Sequence, residues 1–248
     1  MRRISVTRYV TPLREGGSLP AIVEADDNGL YVLKFRGAGQ GARALVAELV
    51  AGELARAAGL PVPEIVFAEL DLDLARTEPD PEIQELIRAS AGLNLALDYL
   101  PGSVMFDPVA DAPEGFLASS IVWFDALVTN IDRTAKNTNL LMWHRKLWMI
   151  DHGAAMYFHH GTSDFVARAK DPFTAVKDHV LLRFADAIAE ADAALVPRLA
   201  RAAVEEVVAL VPPEWAPEAH RYTAYFMARL EGPRAFVQEA IRARAQHL

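Results

Sequence analysis

The sequence predicts an α+β fold with two lobes, a β-rich one followed by a mostly helical one. Alternating apolar residues and an Asn-Gly turn predict strands from residue 4 to residue 36. From Pro113 onward, apolar residues recur at helical spacing instead. We therefore expect one domain with a β-rich lobe over residues 1–100 and a helical lobe over residues 101–248.

The composition excludes several classes of function. Hydrophobic residues make up 52% of the 248 residues and charged residues 23%, which is typical of a globular protein with a sizeable core. A net charge of -8 argues against a general nucleic-acid-binding or membrane-binding surface. There is no cysteine for disulfides or zinc, and no segment approaches the roughly 18 uncharged residues of a membrane-spanning helix. We expect a cytoplasmic protein that contacts neither membranes nor nucleic acid directly.

A lysine lies inside the third predicted strand. Lys34 stands among apolar neighbours, so it is either an edge-strand residue extending towards solvent or the strand lysine that pairs with ATP phosphates in kinases. Gly16, Gly17 and Ser18 lie one hairpin upstream, where a phosphate-covering loop is expected, although plain turns use paired glycines as often. We predict that these four residues bind the phosphates of a nucleotide.

The helix expected next supplies a partner for Lys34. Apolar residues recur at helical spacing from residue 42 to residue 58, and Gly59 is a natural residue to end the helix. Glu48 lies beside this apolar stripe, whereas Glu53 lies further towards solvent. A solvated glutamate is the plainer interpretation, but the preceding strand lysine favours a Lys34–Glu48 ion pair that orients the lysine.

Two further strands lead to the boundary between the lobes. Apolar runs at residues 65–68 and 94–100 predict strands, and Pro101-Gly102 closes the second one. We expect this end to form a hinge at which the backbone of Asp98 to Leu100 hydrogen-bonds an adenine.

A buried β-hairpin is predicted near the middle of the chain. Two apolar runs, residues 140–143 and 147–150, flank the polar trio His144-Arg145-Lys146, which we expect to form the turn. A polar cluster precedes this hairpin, and Asp151-His152-Gly153 follows it. The hairpin should therefore bring these two polar segments to one end of the sheet.

The polar residues are spaced like the catalytic parts of protein kinases. Asn137 follows Asp132 by five positions, and Asp151 follows the hairpin, as the magnesium-binding Asn and Asp of kinases follow the proton-accepting Asp. The alternative is a polar loop in which the carboxylates only end turns, but three residues in register favour the chemical interpretation. We predict Asp132 as the catalytic base, Asn137 and Asp151 as magnesium ligands, and Lys136 as a further catalytic residue that neutralises the transferred phosphoryl group.

The second lobe is expected to be helical around this site. Residues 116–128 predict a helix that packs under the catalytic loop, and residues 154–172 predict an irregular loop. Later helices are predicted over residues 178–190, 191–211, 214–231 and 233–247.

Over its whole length the sequence resembles the HipA-like kinases, distant relatives of protein kinases and phosphatidylinositol kinases. The segments that carry the resemblance are Y-V-L-K-F (31–35), A-E-L-V-A-G-E-L-A-R-A-A-G-L-P-V-P-E (47–64), N-I-D-R-T-A-K-N (130–137) and D-H-G (151–153). The resemblance implies a protein-kinase-like fold with the catalytic and magnesium-binding roles already assigned. Thr134 departs from the family, which usually has a histidine there, and His152 replaces the usual aromatic residue.

The resemblance implies an ATP- and Mg²⁺-dependent phosphotransferase. The expected acceptor is the hydroxyl group of a serine or threonine in a protein. As the runner-up, the enzyme would phosphorylate a small molecule instead. A nucleotide-binding pseudokinase that regulates without turnover is the alternative from another functional class. Toxins of this family are longer and contact an antitoxin, so an antitoxin-like partner is also considered, whereas the toxin's own substrate is not carried over.

Overall fold

The first part of the chain forms a closed five-stranded barrel. The computed structural model describes residues 1–13, 19–39, 41–76, 78–161 and 164–246, so Gly16, Gly17 and Ser18 lie outside the described residues. The strands, in chain order, are β1 (Arg3–Pro12), β2 (Ala21–Ala25), β3 (Leu30–Lys34), β4 (Ile65–Leu70) and β5 (Gly92–Asp98). Their order around the barrel is β1-β2-β3-β5-β4, and only the β1–β4 pair is parallel among these pairings.

Alternation along β3 separates the barrel core from the functional side. Tyr31 and Leu33 are buried in the barrel's hydrophobic cluster, while Val32 and Lys34 line a cavity outside it. The period-two pattern that predicts the strand therefore also directs the lysine away from the core. The predicted turn before β3 contains Asn28 in the left-handed region, with φ 62°, a conformation that asparagine tolerates.

Helix α1 (Ala42–Ala57) is buried on almost all sides rather than along one stripe. Every residue from 45 to 52 is buried, and the helix belongs to the same hydrophobic cluster as the later helices. A helix that is buried on most of its faces is typical of the inside of a protein. Its end is as predicted, since Gly59 adopts φ 81° just beyond it. A shorter helix, α2 (Pro81–Ala89), starts at Asp80, whose side chain accepts a hydrogen bond from the Glu82 N–H.

The predicted hairpin is present, with a tighter turn than expected. Strands β7 (Leu140–Trp143) and β8 (Lys146–Met149) pair with each other, and β6 (Val104–Met105) pairs with β7. The turn consists of His144 and Arg145 alone, with φ 47° and 62°, so Lys146 lies in β8 and pairs with Trp143. The prediction of a three-residue turn was wrong, because a two-residue turn with both φ values positive matches the twist of the strands.

The remaining elements are helices and short 3₁₀ turns. The helices are α3 (Gly115–Val128), α4 (Ile188–Leu195), α5 (Arg201–Val208), α6 (His220–Leu230) and α7 (Ala235–Gln246). The predicted helix over residues 178–190 was wrong, because only short 3₁₀ turns, Thr174–Asp178 and Leu182–Phe184, reach into this range before α4 begins at Ile188. The predicted helix over residues 191–211 is interrupted by a 3₁₀ turn that contains Pro197, which lacks the N–H of a helical residue.

A buried arginine fixes the end of α3, where the predicted catalytic loop begins. The Arg229 guanidinium donates hydrogen bonds to the carbonyls of Ala126 and Leu127, both at 2.8 Å, and also to those of Ala169 and Asp171 at 2.9 Å. Carbonyls in the last turn of a helix have no partner within the helix, so this side chain satisfies them.

Among the helices of the described residues, none combines the length and the apolar character that a membrane-spanning helix needs.

Candidate active site

Seven of the predicted site residues meet at one cavity of about 930 Å³. Its lining includes Lys34, Glu48, Asp98, Leu100, Asp132, Asn137 and Asp151. Lys136 is exposed and does not belong to this lining. The structure thus brings together residues from the barrel, from α1 and from both sides of the hairpin.

Lys34 contacts two carboxylates rather than solvent. Its ammonium lies 2.7 Å from Asp151 Oδ1 and 3.6 Å from Glu48 Oε2. Burial alone would lower the pKa of Lys34, but the charges of Glu48 and Asp151 outweigh it and raise the pKa above its usual value. The lysine is therefore protonated, and the interpretation of Lys34 as a solvent-facing edge residue was wrong.

Glu48 is a buried carboxylate that stays ionised. Burial would raise its pKa, but the Lys34 charge, followed by contacts with His152, lowers the pKa of Glu48 to about 2. Its Oε2 also accepts a hydrogen bond of 2.9 Å from the His152 backbone N–H. The carboxylate thereby connects α1 both to the lysine of β3 and to the segment after the hairpin.

Asp151 has an uncommon backbone conformation. It follows β8 directly, and its φ of 53° lies in the left-handed region, where Asp is tolerated better than most residues. Its side chain remains 39% exposed while it pairs with Lys34. The carboxylate is thus held beside the lysine and remains accessible from the cavity.

The predicted catalytic loop around Asp132 and Asn137 is closed by hydrogen bonds between its own residues. The Asn137 amide donates to Asp132 Oδ2 at 2.8 Å, and the Asn139 amide lies 3.5 Å from the same oxygen. The Thr134 backbone N–H donates to the Asn137 carbonyl at 2.9 Å, and the Asn137 N–H donates back to the Thr134 carbonyl at 3.2 Å. Main-chain atoms therefore tie this loop together at Thr134, the position that departs from the family pattern.

A buried ionic cluster lies beneath this loop. Asp125 of α3 accepts hydrogen bonds from Arg133 Nε at 2.6 Å and Asn130 Nδ2 at 3.2 Å. Burial would raise the pKa of Asp125, but the Arg133 charge outweighs it, and with a hydrogen bond from His179 the pKa falls well below its usual range. Arg133 also donates to the carbonyls of Asn139 and Ile150. One side chain therefore connects the residue just before the hairpin to the residue just after it.

His179 joins this cluster from a distant part of the chain. Its Nδ1 accepts a hydrogen bond from the Leu181 N–H at 3.0 Å, so Nε2 is the nitrogen that donates to Asp125 Oδ2 at 2.9 Å. The Val180 N–H also donates to the Arg133 carbonyl at 3.1 Å. Sequence reasoning missed the whole cluster. A lone Asp in the apolar run of α3 was a usable signal for Asp125, whereas His179 had none.

The predicted hinge offers fewer donors than its length suggests. The Asp98 N–H already donates to the Glu64 carbonyl at 2.9 Å, and the Tyr99 N–H to the Leu30 carbonyl at 3.0 Å. Among the described residues, the Leu100 N–H makes no hydrogen bond. Leu100 is therefore the hinge position whose donor is available to a ligand in the cavity.

The oxygen ligands suit magnesium bound together with a phosphate-bearing molecule. No cluster of three or more His, Cys, Asp or Glu side chains capable of holding a metal occurs in the described part of the chain. Asp151 and Asn137 both line the cavity, and Asn137 uses its amide nitrogen on Asp132, which leaves its oxygen for a cation. Mg²⁺ commonly binds through one or two such side chains and completes its shell with water and phosphate oxygens.

Comparison with known proteins identifies the family. The family model of HipA-like kinases matches residues 6–239, nearly the whole chain. The chain belongs to the HipA-like kinase family. No curated protein matches this HipA-like kinase.

Solved structures establish the fold of this HipA-like kinase. The proinflammatory kinase CtkA of Helicobacter pylori is similar with a TM-score of 0.57 and 13% identity, over 99% of both chains. A Golgi casein kinase with Mn/ADP bound is similar with a TM-score of 0.56 and 10% identity, over 98% of this chain and 73% of the other. A second structure of a Golgi casein kinase has a TM-score of 0.52 and 11% identity, over 99% and 73%. The predicted α+β kinase-like fold is confirmed, and family and fold together support an ATP-dependent phosphotransferase.

Proposed function

We propose that this HipA-like kinase transfers the γ-phosphoryl group of ATP, in the presence of Mg²⁺, to a serine or threonine hydroxyl of a protein. The observation that carries the proposal is the convergence of Lys34, Glu48, Asp132, Asn137 and Asp151 on one cavity. Residues 1–100 act as the nucleotide-binding lobe and residues 101–248 as the catalytic lobe.

The nucleotide lies along the barrel side of the cavity. Val32, Leu97, Leu141 and Ile150 contribute apolar walls for an adenine, and the Leu100 N–H donates to it. Lys34 binds the phosphates, with Glu48 keeping the lysine charged and oriented. That a Golgi casein kinase of similar fold is known with Mn/ADP bound supports a nucleotide and a divalent metal as the ligands of this kinase.

The segment Gly16-Gly17-Ser18 covers the phosphates in this proposal. Its neighbours in sequence support the assignment, since Pro12 and Leu13 before it and Pro20 after it all line the cavity. Lys136 has no comparable support, because it is exposed and outside the lining. The proposed phosphate-binding set therefore consists of Lys34 and this segment.

Asp151 and Asn137 are the proposed metal ligands, and Asp132 is the proposed general base. Bound Mg²⁺ would neutralise the phosphates and so favour phosphoryl transfer. Asp132 accepts the proton of the attacking hydroxyl as its oxygen bonds to the γ-phosphorus and the bond to the bridging oxygen breaks, which releases ADP. Asn137 orients Asp132 through the 2.8 Å hydrogen bond.

The acceptor is proposed to be a protein because the base lies at an accessible edge. Asp132 is half-buried, and Ile131 beside it is 41% exposed, an apolar side chain that a peptide could contact. The test is incubation of the purified protein with γ-labelled ATP, Mg²⁺ and a cell extract. We expect label on serine or threonine of one or a few proteins and stoichiometric ADP. Label only in the small-molecule fraction would indicate a metabolite kinase, and nucleotide binding without ADP release would indicate a pseudokinase.

A further inference from the structure

We propose that His152 is a positioning residue that holds Glu48, and through it Lys34, in the arrangement needed for phosphoryl transfer. The inference rests on the function proposed above. His152 and Glu48 are 0% and 1% exposed. The histidine approaches the glutamate twice, through its backbone N–H at 2.9 Å from Oε2 and through its ring Nδ1 at 3.5 Å from Oε1.

The ring contact joins two polar atoms that have no other partner. Within the described residues, His152 Nδ1, His152 Nε2 and Glu48 Oε1 are buried and make no hydrogen bond in the protein without nucleotide. The ring nitrogen Nδ1 can donate and the carboxylate oxygen Oε1 can accept, and the two atoms lie 3.5 Å apart, at the outer limit of hydrogen-bond distance. Catalytic hydrogen bonds are often long before the reacting complex assembles and then shorten. The geometry therefore favours the tautomer of His152 that carries its proton on Nδ1.

The ring is held in this position by close packing under α1. Gly52 lies one helical turn after Glu48, and a side-chain carbon added at Gly52 would lie 3.8 Å from His152 Nδ1 and 2.3 Å from Ile65 Cδ1. A larger residue at position 52 would thus clash with Ile65 beside the ring. The glycine lets the helix approach the histidine closely enough for Glu48 to reach it.

Glu48 needs a second hydrogen-bond donor because it shares Lys34 with Asp151. Lys34 lies closer to Asp151, at 2.7 Å, than to Glu48, at 3.6 Å. A phosphate that engages the ammonium competes for it with both carboxylates, and Glu48 is too deeply buried to be solvated by water instead. The two donors of His152 then keep Glu48 in place. An aromatic ring without nitrogen would fill the same space but would leave Oε1 without a donor.

Two substitutions separate this role from simple packing. His152→Phe keeps a buried ring and removes the donor, whereas His152→Asn loses ring volume but keeps an N–H near the Nδ1 position. We expect His152→Phe to lower kcat/KM for MgATP by roughly 10- to 100-fold, the size expected for a hydrogen bond to a charged group, with an unchanged or higher Tm. His152→Asn should recover part of kcat/KM despite a lower Tm. Wild-type kcat/KM in His152→Phe would overturn the proposal.

A measurement on the protein without nucleotide tests the contact independently of activity. In the NMR spectrum of the ¹⁵N-labelled protein, we expect one imidazole N–H signal protected from solvent exchange that is missing in His152→Phe and shifted in Glu48→Gln. If Glu48→Gln leaves that signal unchanged, the His152–Glu48 contact does not exist and the inference is wrong. If the signal behaves as expected but the wild type never releases ADP, the proposed function fails while the structural contact stands.

Discussion

Lys34 and Asp151 form an ion pair of 2.7 Å across the cavity, so the residue proposed to bind phosphate is paired with the residue proposed to bind metal. Each must exchange this partner when a magnesium–nucleotide complex enters, the lysine for phosphate oxygens and the carboxylate for the cation. Until then the pair keeps both charges in place and compensated inside a partly buried site. Nucleotide and metal should therefore bind cooperatively, since each relieves the other's competitor.

This pairing predicts opposite effects of Asp151→Ala on two forms of the nucleotide. The substitution removes a competitor for Lys34, so affinity for ATP in EDTA should be unchanged or higher. It also removes the principal metal ligand, so affinity for MgATP should fall by about 10²-fold or more, since a bound metal contributes several kcal/mol. Isothermal titration with and without Mg²⁺ measures both. Asn137→Ala is the matched comparison and should lose less, and equal MgATP affinity in Asp151→Ala and wild type would refute the ligand assignment.

Lys34 and Glu48 should act as one unit in catalysis. If Glu48 acts in catalysis only by orienting Lys34, the single changes Lys34→Met and Glu48→Gln should each lower the phosphotransfer rate, and the double change should lower it little further than Lys34→Met alone. A double-mutant cycle should give a coupling energy of about 1–3 kcal/mol. Glu53→Gln is the control on the same helix, since Glu53 pairs with Arg56 at 3.3 Å and should have no effect. Strictly additive losses would mean that Glu48 does not serve Lys34.

The ionisation of Glu48 predicts how stability depends on pH. Its pKa is lowered to about 2 in the folded protein, so the unfolded chain binds the proton more readily at acidic pH. The carboxylate therefore contributes stability above pH ~4.3, the usual pKa of glutamate, and this contribution is lost as the pH falls towards 2. Urea unfolding of wild type and Glu48→Gln should show the wild type more stable at pH 7, by on the order of 1–3 kcal/mol, with the difference shrinking by pH 3. A difference that is independent of pH would contradict an ionised Glu48.

His179 should influence turnover without contacting the nucleotide. It donates to Asp125 beneath the catalytic loop and does not line the cavity. His179→Ala should lower kcat by roughly 10- to 100-fold, the range seen when residues that orient a site are removed, while MgADP affinity stays within about twofold. His220→Ala, at an exposed histidine, is the control. Loss of nucleotide affinity equal to the loss of kcat would instead mean that the lobe as a whole had unfolded.

The residues that sequence patterns predicted are those whose signal is local. Lys34 is predicted by the apolar alternation of one strand, and Asp132 and Asn137 by a spacing of five positions within one loop. The contact between Asp125 and His179 crosses 54 positions, and no periodicity carries such information. The segment around His179 was assigned to a helix because its apolar residues allow one, but its hydrogen bonds to the catalytic loop hold it in 3₁₀ turns.

The predicted hinge and His152 show that sequence patterns do not reveal contacts between residues far apart in the chain. The strand pattern that ends at Pro101-Gly102 predicted that the backbone of Asp98 to Leu100 faces a ligand, but only the full sheet reveals that two of the three N–H groups already donate hydrogen bonds. The sequence likewise gave no sign that His152 lies under α1 beside Glu48, since the two residues are 104 positions apart. Contacts between residues far apart in the chain therefore decide which of the predicted site residues are available to a ligand.

The most direct test of the account is the rate of phosphoryl transfer by Asp132→Asn, measured beside its affinity for MgATP. The substitution keeps the shape of the side chain, and its oxygen can still accept from Asn137, but it removes the charge and most of the basicity. We expect MgATP affinity within about twofold of wild type and a transfer rate lower by about 10²–10⁴-fold, the usual contribution of a general base. Transfer at the wild-type rate would contradict the central claim, because Asp132 would then only shape the loop.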